Sequence, residues 1–390
     1  MTLDIANTLP ADWTRATLVG RAWVPAVDGP SVVKVTPDGV FDITAAAPTV
    51  SDLCNSENPL ARVRGAKGPR LGSIEELLAN SEAGSIDPKK PHLLAPVDLQ
   101  AVKACGVTFV TSMLERLVEE QAKGDPSKGD AIRAEIQKEI GTSLKSLKPG
   151  SEEAMRLKEL LIKRGRWSMY LEVGIGPDAE VFTKCPSMAS VGTGAEIGIH
   201  PISTWNNPEP EIVMIVSAAG RIVGASLGND VNLRDVEGRS GLLLGKAKDQ
   251  NASSAIGPFV RLFDEGYTLD DLRNTVVELR VDGLDQFVMK GASSVAEISR
   301  DLTDLVGQTI SANHQYPDGV CLYSGTMFAP IQDRSKPGLG FTHAIGDTVT
   351  IRAERLGALI NRVVHTDKAP PWTFGTSALM RNLAKRGLLG

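Results

Sequence analysis

One stretch in the middle of the chain, residues 208–235, constrains the fold more than any other. Its apolar run at 212–216 is followed by the segment Ala-Ala-Gly-Arg, which is typical of a turn, and then by a second run at 222–227. Two short runs rich in β-branched and apolar residues, joined by such a turn, predict an antiparallel β-hairpin. We expect the rest of the chain to be arranged around this hairpin.

Three carboxylates flank the predicted hairpin. Glu209 and Glu211 are two residues apart, so on a strand both side chains project from one face. The returning strand would bring Asp230 back beside them. Converging carboxylates repel one another unless a cation lies among them, and an all-oxygen set suits Mg²⁺, Mn²⁺ or Ca²⁺. By spacing alone the pattern is equally compatible with a solvated outer face, which is the commoner setting of a Glu-x-Glu pair.

The composition narrows the class of partner and the compartment. A length of 390 residues exceeds the size at which one core stops growing, so two domains are expected. A net charge of −5 without a basic patch argues against nucleic acid and anionic membranes as partners. Without a signal sequence or a long apolar run, the chain is expected to be cytoplasmic. Four dispersed cysteines indicate neither a zinc site nor a disulfide framework, and no glycine-rich loop indicates a nucleotide cofactor.

Residues 1–95 are predicted to form a small N-terminal β-rich domain. Short apolar stretches there alternate with turns that contain glycine and proline. A helix is expected over residues 73–79, because Ser73 and Glu76 have the spacing of a capping box. The proline-rich segment 87–96 is interpreted as a linker.

Residues 96–390 form the second predicted domain. Helical periodicity runs from about 107 to 166, and residues 119–166 are interpreted as a helical excursion: a lid, a subunit contact or a solvated hairpin. Beyond 169, strand signals dominate, with one helix expected at 294–305. This pattern predicts a mainly β (α+β) chain with a mixed, largely antiparallel core. The predicted strands are 169–173, 180–183, 212–216, 222–227, 275–281, 286–290, 320–323 and 348–353.

Several segments in this order resemble the fumarylacetoacetate hydrolase superfamily. They are PEPEIVMIV (208–216) with GNDVNLRD (228–235), GKAKDQNASSAIGPF (245–259) and PDGVCLYSGT (317–326), and the resemblance covers most of residues 170–360. It implies a rolled, mixed β-sandwich catalytic domain that holds a divalent metal, Mg²⁺ or alternatively Mn²⁺ or Ca²⁺. The resemblance also implies roles for individual residues: Glu209, Glu211 and Asp230 as metal ligands, Lys248 as a catalytic group, and Ser112, Lys184, Gly325 and Thr326 as substrate contacts.

One departure from the family pattern concerns water activation. Hydrolytic members carry a His-x-x-Glu pair on a short helix, whereas the matching positions here are Ser112 and Glu115. A serine hydroxyl is no base near neutral pH without a partner, so hydrolysis by this pair should be lost or weakened. His314 is the alternative that would restore it.

The sequence looks most like the branch of the superfamily that dehydrates 2-keto-3-deoxy-pentonates (xylonate or arabinonate), with residues 329–338 and 340–349 in support. That resemblance implies formation of 2,5-dioxopentanoate, with Glu115 as the first choice of catalytic base and Lys248 either stabilising the enolate or carrying the proton. The alternatives are a C–C hydrolase of acylpyruvates or fumarylacetoacetate, a 2-keto acid decarboxylase, and a non-catalytic scaffold. A homodimer or homotetramer is expected by analogy.

Overall fold

A computed structural model of the protein describes residues 2–123, 125–139, 147–165, 167–328, 330–334 and 336–389. Parts of the predicted excursion (119–166) and of the segment 329–338 lie outside these ranges. No helix in the described ranges is long and apolar enough to cross a lipid bilayer.

Strands and helices are spread along the whole chain. The strands are β1 Leu18–Val24, β2 Gly29–Thr36, β3 Gly39–Asp42, β4 Arg70–Gly72, β5 His92–Leu94, β6 Ala101–Gly106, β7 Glu180–Cys185, β8 Glu196–Ile199, β9 Asn206–Asn207, β10 Pro210–Val216, β11 Ile222–Asp230, β12 Asn232–Leu233, β13 Ser254–Leu262, β14 Val276–Asp282, β15 Val288–Ser294, β16 Val320–Tyr323, β17 Thr348–Ala353 and β18 Gly357–His365. The helices are α1 Ile5–Thr8, α2 Val50–Asn55, α3 Pro59–Gly65, α4 Ile74–Ala79, α5 Val110–Ala122, α6 Gly129–Glu139, α7 Glu152–Lys163, α8 Met169–Ile175, α9 Arg234–Glu237, α10 Leu244–Lys248, α11 Leu269–Arg273, α12 Leu302–Thr309 and α13 Thr376–Lys385.

The predicted hairpin is β10 and β11, and it lies inside the larger sheet. Eleven strands form that sheet, in the order β4-β3-β2-β1-β13-β11-β10-β16-β6-β7 with β5 beside β1. A five-stranded sheet, β15-β14-β17-β18-β8, packs against it. Neighbouring strands are antiparallel except for β16 with β6 and β18 with β8, so the predicted mixed, largely antiparallel core is confirmed.

Strand β10 is buried on both faces, which explains its unbroken apolar sequence. Ile212, Met214 and Val216 point into the core shared with β14, β17 and β18. Val213 and Ile215 point to the opposite side and pack in a second core with α2. Successive side chains on a strand face opposite ways, so one apolar run stabilises two layers at once.

The N-terminal strands extend the central sheet. Leu18 and Val19 of β1 pair with Arg261 and Val260 of β13. The segment predicted as a linker contains β5, which pairs with β1. The domain boundary at residue 95 stays a prediction, and the capping box predicted for α4 at Ser73 and Glu76 is confirmed.

Two local predictions were wrong. Residues 169–173 were predicted as a strand, but they form helix α8, where the Ser168 hydroxyl accepts from the Tyr170 amide at 3.1 Å. Periodicity alone cannot assign a short apolar run to a helix or a strand. Here the N-cap at Ser168 favours the helix. The helix predicted at 294–305 is α12, which begins at Leu302 because Asp301 caps it.

Asp12 joins the N-terminal segment to the sheet, and its replacement by asparagine is expected to destabilise the protein. Its carboxylate accepts two hydrogen bonds from the buried Arg261 guanidinium, at 2.6 and 2.7 Å, and one from Arg355 at 2.9 Å. The hydrogen bonds from Arg261, opposed by burial, lower the pKa of Asp12 to about 2. We expect Asp12→Asn to lower the free energy of unfolding by about 2 kcal/mol at pH 7.

The loss of unfolding free energy in Asp12→Asn should depend on pH, and the lowered pKa of Asp12 sets its direction. The stabilisation that a depressed carboxyl pKa provides is complete above the unfolded pKa of roughly 4. It is lost as the pH falls through the folded pKa. Urea unfolding at pH 7 and at pH 3.5 should therefore show a smaller difference between wild type and variant at the lower pH. Asp38→Asn, at an exposed position, is the control. An equal deficit at both pH values would contradict the assignment.

Candidate metal centre and active site

The hairpin brings the three carboxylates together. Asn229 of β11 pairs with Pro210 of β10, and the Asp230 amide donates to the Glu209 carbonyl at 3.0 Å. One oxygen from each of Glu209, Glu211 and Asp230 lies within 4.8 Å of the others, and all three side chains are buried. The convergence expected from the sequence is present, and the role of these residues as metal ligands stays a prediction.

The environment of Glu211 fits a bound cation. One oxygen accepts from the Gly325 amide at 2.7 Å, while the other has no hydrogen-bond partner among the described residues. Burial, together with the charges of Asp230 and Glu209, raises the pKa of Glu211 well above its usual value. Burial also raises the pKa of Glu209. A hard divalent cation would supply the missing partner and offset the repulsion among the three carboxylates.

Two lysines contact the same carboxylates. The Lys248 ammonium lies 2.5 Å from a Glu209 oxygen and 3.0 Å from an Asp230 oxygen, above the ring of Phe182. Lys184 lies 2.7 Å from the other Asp230 oxygen and donates to the Val231 carbonyl at 3.1 Å. Burial opposes ionisation of Asp230, but the two ammonium groups outweigh it and lower its pKa. The contacts of Lys184 hold Asp230 in place, whereas its predicted substrate contact stays a prediction.

Glu115, the predicted base, is engaged by arginines. Its oxygens accept from Arg133 at 2.6 and 2.9 Å and from Arg234 at 3.3 Å. The hydroxyl of Ser112, one turn earlier on α5, donates to the Phe109 carbonyl at 2.9 Å. The contacts of Glu115 are with arginines and the contact of Ser112 is with Phe109. None of these contacts is with the three carboxylates.

Helix α5 reaches the site through Arg116, which the sequence did not single out. The Arg116 guanidinium contacts Glu209 and also lies 2.5 Å from Glu119 and 3.1 Å from Glu237. Arg234 donates to Glu119 at 2.7 Å and lies over the Trp205 ring. Helical spacing puts residues 112, 115, 116 and 119 near one another, but it does not identify their distant partners.

Gly325 adopts a conformation that other residues avoid. Its φ is +98°, and a Cβ there would lie 2.0 Å from the Thr108 hydroxyl. This backbone directs its amide at Glu211. The buried Thr326 hydroxyl donates to the Phe328 carbonyl at 3.1 Å, so its predicted substrate contact stays a prediction.

A second missed residue, Glu180, faces a cavity of about 330 Å³ beside Arg116. Glu180 and Phe182 alternate along β7 and so share a face, and Lys184, which follows a register shift in the strand, contacts Asp230. Burial and the neighbouring Glu237 raise the pKa of Glu180 to about 7. The alternation in Glu-Val-Phe was the available signal. Besides Glu180, the cavity is lined by Met169, Tyr170, Val173, Glu237, Ser240, Gly241, Leu242 and Leu244.

His314 lies away from these residues. It is exposed in the turn before β16, in contact with Ser311 and Tyr316. Val320, at the start of β16, pairs with Val216 at the far end of β10. At the rise per residue of a β-strand, Val216 lies roughly 17 Å from Glu211. The structure gives no support to His314 as the group that activates water.

Comparison with known proteins identifies related chains. Residues 175–364 match the sequence profile of the family described as Fumarylacetoacetate (FAA) hydrolase C-terminal. A probable 2-keto-3-deoxyxylonate dehydratase of Haloferax volcanii is 30% identical over 195 residues, which are 50% of this chain and 63% of the relative. A 2-dehydro-3-deoxy-D-arabinonate dehydratase of Saccharolobus solfataricus is 29% identical over 187 residues, 47% of this chain and 58% of the relative. The matches thus span about three fifths of the length of these curated relatives.

Solved structures share the fold. A 2-keto-3-deoxy-D-arabinonate dehydratase complexed with magnesium and 2,5-dioxopentanoate superimposes with a TM-score of 0.60 at 19% identity, covering 89% of this chain and 99% of that one. Its apo form gives a TM-score of 0.61 with the same coverage. The fold class expected from the sequence is thereby confirmed.

Proposed function

We propose that this chain is a metal-dependent dehydratase of a 2-keto-3-deoxy-pentonate. Its residues 175–364 match the profile of the fumarylacetoacetate hydrolase family, which supports the proposal. The observation that carries this is the buried set of Glu209, Glu211 and Asp230 with Lys248 between two of them. The names of the two curated relatives support the same substrate class. The product would be 2,5-dioxopentanoate, and a homodimer or homotetramer stays a prediction.

The metal in this proposal is Mg²⁺, held by Glu209, Glu211 and Asp230. When bound, it would draw electron density from the carboxylate and keto oxygen of the substrate and so acidify the protons at C3. The protein contributes a dry, fixed ligand set, because these side chains are at most 2% exposed. Gly325 and Lys184 orient Glu211 and Asp230.

Two side chains would serve the chemistry directly. The Lys248 ammonium would stabilise the negative charge that develops on the enolate oxygen. Glu180 would take a proton from C3 and return it to the C4 hydroxyl, which leaves as water. Its pKa of about 7 allows both protonation states near neutral pH. A final tautomerisation of the unsaturated alcohol gives the aldehyde at C5.

The contacts favour Glu180 over Glu115 as the base. Both oxygens of Glu115 are hydrogen-bonded to arginines, whereas Glu180 faces the cavity. We expect Glu180→Gln to lower kcat by about 10²–10⁴-fold while Mg²⁺ still binds. The ionisation near pH 7 should also vanish from the kcat profile.

Glu115→Gln is the matched comparison. It should lower stability, because Arg133 and Arg234 lose a charged partner, and leave the shape of the pH profile intact. Loss of turnover in Glu115→Gln together with full activity in Glu180→Gln would restore Glu115 as the base.

Product analysis tests the function itself. NMR would follow Mg²⁺-loaded protein with 2-keto-3-deoxy-D-pentonate, its L-epimer and an acylpyruvate in parallel. We expect 2,5-dioxopentanoate from a pentonate, and its formation should stop on chelation of the metal. Pyruvate formed from the acylpyruvate alone would contradict the proposal and favour the hydrolase alternative.

A further inference from the structure

The cavity beside Arg116 carries an unusual arrangement of charge. Two acids, Glu180 from β7 and Glu237 from α9, line it together with the Tyr170 side chain. Its remaining wall is largely apolar, from Met169, Val173, Leu242 and Leu244. Beside a site for a 2-keto acid, such a cavity would hold the part of the substrate that extends away from the metal.

Glu237 lies one side chain away from the metal centre. The Arg116 guanidinium touches Glu209 with one terminal nitrogen and approaches Glu237 to 3.1 Å with the other. A single guanidinium therefore separates Glu209, a proposed metal ligand, from Glu237, which lines the cavity. The tail of a short 2-keto acid bound at the carboxylates would meet Glu237.

We propose that Glu180 and Glu237 select 2-keto acids with an uncharged tail and reject those with a second carboxylate. This inference rests on the proposed function and narrows its substrate class. A hydroxyl group can donate to either acid. A terminal carboxylate cannot donate, and it would meet the carboxylate of Glu237.

The cations near the cavity are already committed. Arg116 is shared among Glu119, Glu209 and Glu237, so one positive charge faces three negative ones. Lys248 is bound to Glu209 and Asp230. Tyr170 from α8 adds no charge, since burial and Glu237 raise its pKa. Among the residues that the structure describes, those that line the cavity include no lysine or arginine to receive a second carboxylate.

The test compares two acids of equal chain length, 2-oxopentanoate and 2-oxoglutarate, which differ in the terminal carboxylate. Calorimetry with Mg²⁺-loaded protein would give both Kd values, so turnover is not required. We expect wild type to bind 2-oxopentanoate at least about tenfold more tightly. Glu237→Gln should reduce this preference by about tenfold, and Glu180→Gln should reduce it as well.

Glu265→Gln, with 75% of its side chain exposed, makes the same charge change at the surface and should leave the preference unchanged. Equal binding of the two acids by wild type, or an unchanged preference in both cavity variants, would overturn the selection while sparing the proposed function. Failure of both acids to bind Mg²⁺-loaded protein would overturn the selection, whereas the product analysis with 2-keto-3-deoxy-pentonate decides the proposed function separately.

Discussion

Glu211→Gln is expected to weaken Mg²⁺ binding by more than about 100-fold and to abolish turnover. Glutamine keeps the shape of the side chain and still accepts from the Gly325 amide, but it has lost the negative charge. The oxygen of Glu211 that has no hydrogen-bond partner among the described residues is the one that a metal would need. Titration calorimetry with Mg²⁺ and with Mn²⁺ measures the effect.

The stability of the metal-free variant distinguishes ligand loss from misfolding. Burial and two neighbouring carboxylates raise the pKa of Glu211, so the wild-type fold already disfavours its charge. The metal-free variant should therefore be at least as stable as wild type in urea. Glu278→Gln, at an exposed position of β14, is the control and should bind Mg²⁺ normally. Unchanged Mg²⁺ affinity in Glu211→Gln would remove this residue from the metal centre.

Lys248→Met is expected to lower kcat by more than about 10³-fold while Mg²⁺ remains bound. The ammonium lies 2.5 Å from Glu209 and 3.0 Å from Asp230, at the position where the enolate charge would develop. Methionine keeps much of the volume but removes the charge. Steady-state kinetics and Mg²⁺ calorimetry on the same preparation separate loss of chemistry from loss of metal.

The same variant should show a second effect that depends on metal. Without Lys248, two buried carboxylates lose a partner, so the metal-free variant should lose about 3 kcal/mol of stability, and Mg²⁺ should restore part of it. Lys246→Met, two residues earlier on α10 and exposed, is the matched control. Full activity of Lys248→Met would remove the lysine from the mechanism.

Sequence reasoning succeeded where the determinants are close together in the chain. The hairpin follows from two apolar runs and a turn, and it places Glu209, Glu211 and Asp230 together because strand residues alternate and a hairpin returns. The helix cap at Ser73 has its partner, Glu76, three residues away. Lys248 and Gly325 came from resemblance to a family, and the structure brings both into contact with the carboxylates.

The partners of charged side chains depend on contacts between distant parts of the chain. Glu115 has the right spacing from Ser112, but it meets Arg234, which lies 119 residues further along the chain. Arg116 contacts Glu209 across 93 residues, and that contact links the cavity acid Glu237 to the proposed metal centre.

The sequence alone determined the hairpin and the carboxylate set that it carries, because backbone geometry and residue spacing are local properties. Only the tertiary structure decided that Glu115 is held by arginines and that Glu180 faces the cavity. The burial and the charged neighbours that set the chemistry of a carboxyl group come from elements far apart in the chain, and they exist only once the sheets and α5 have packed.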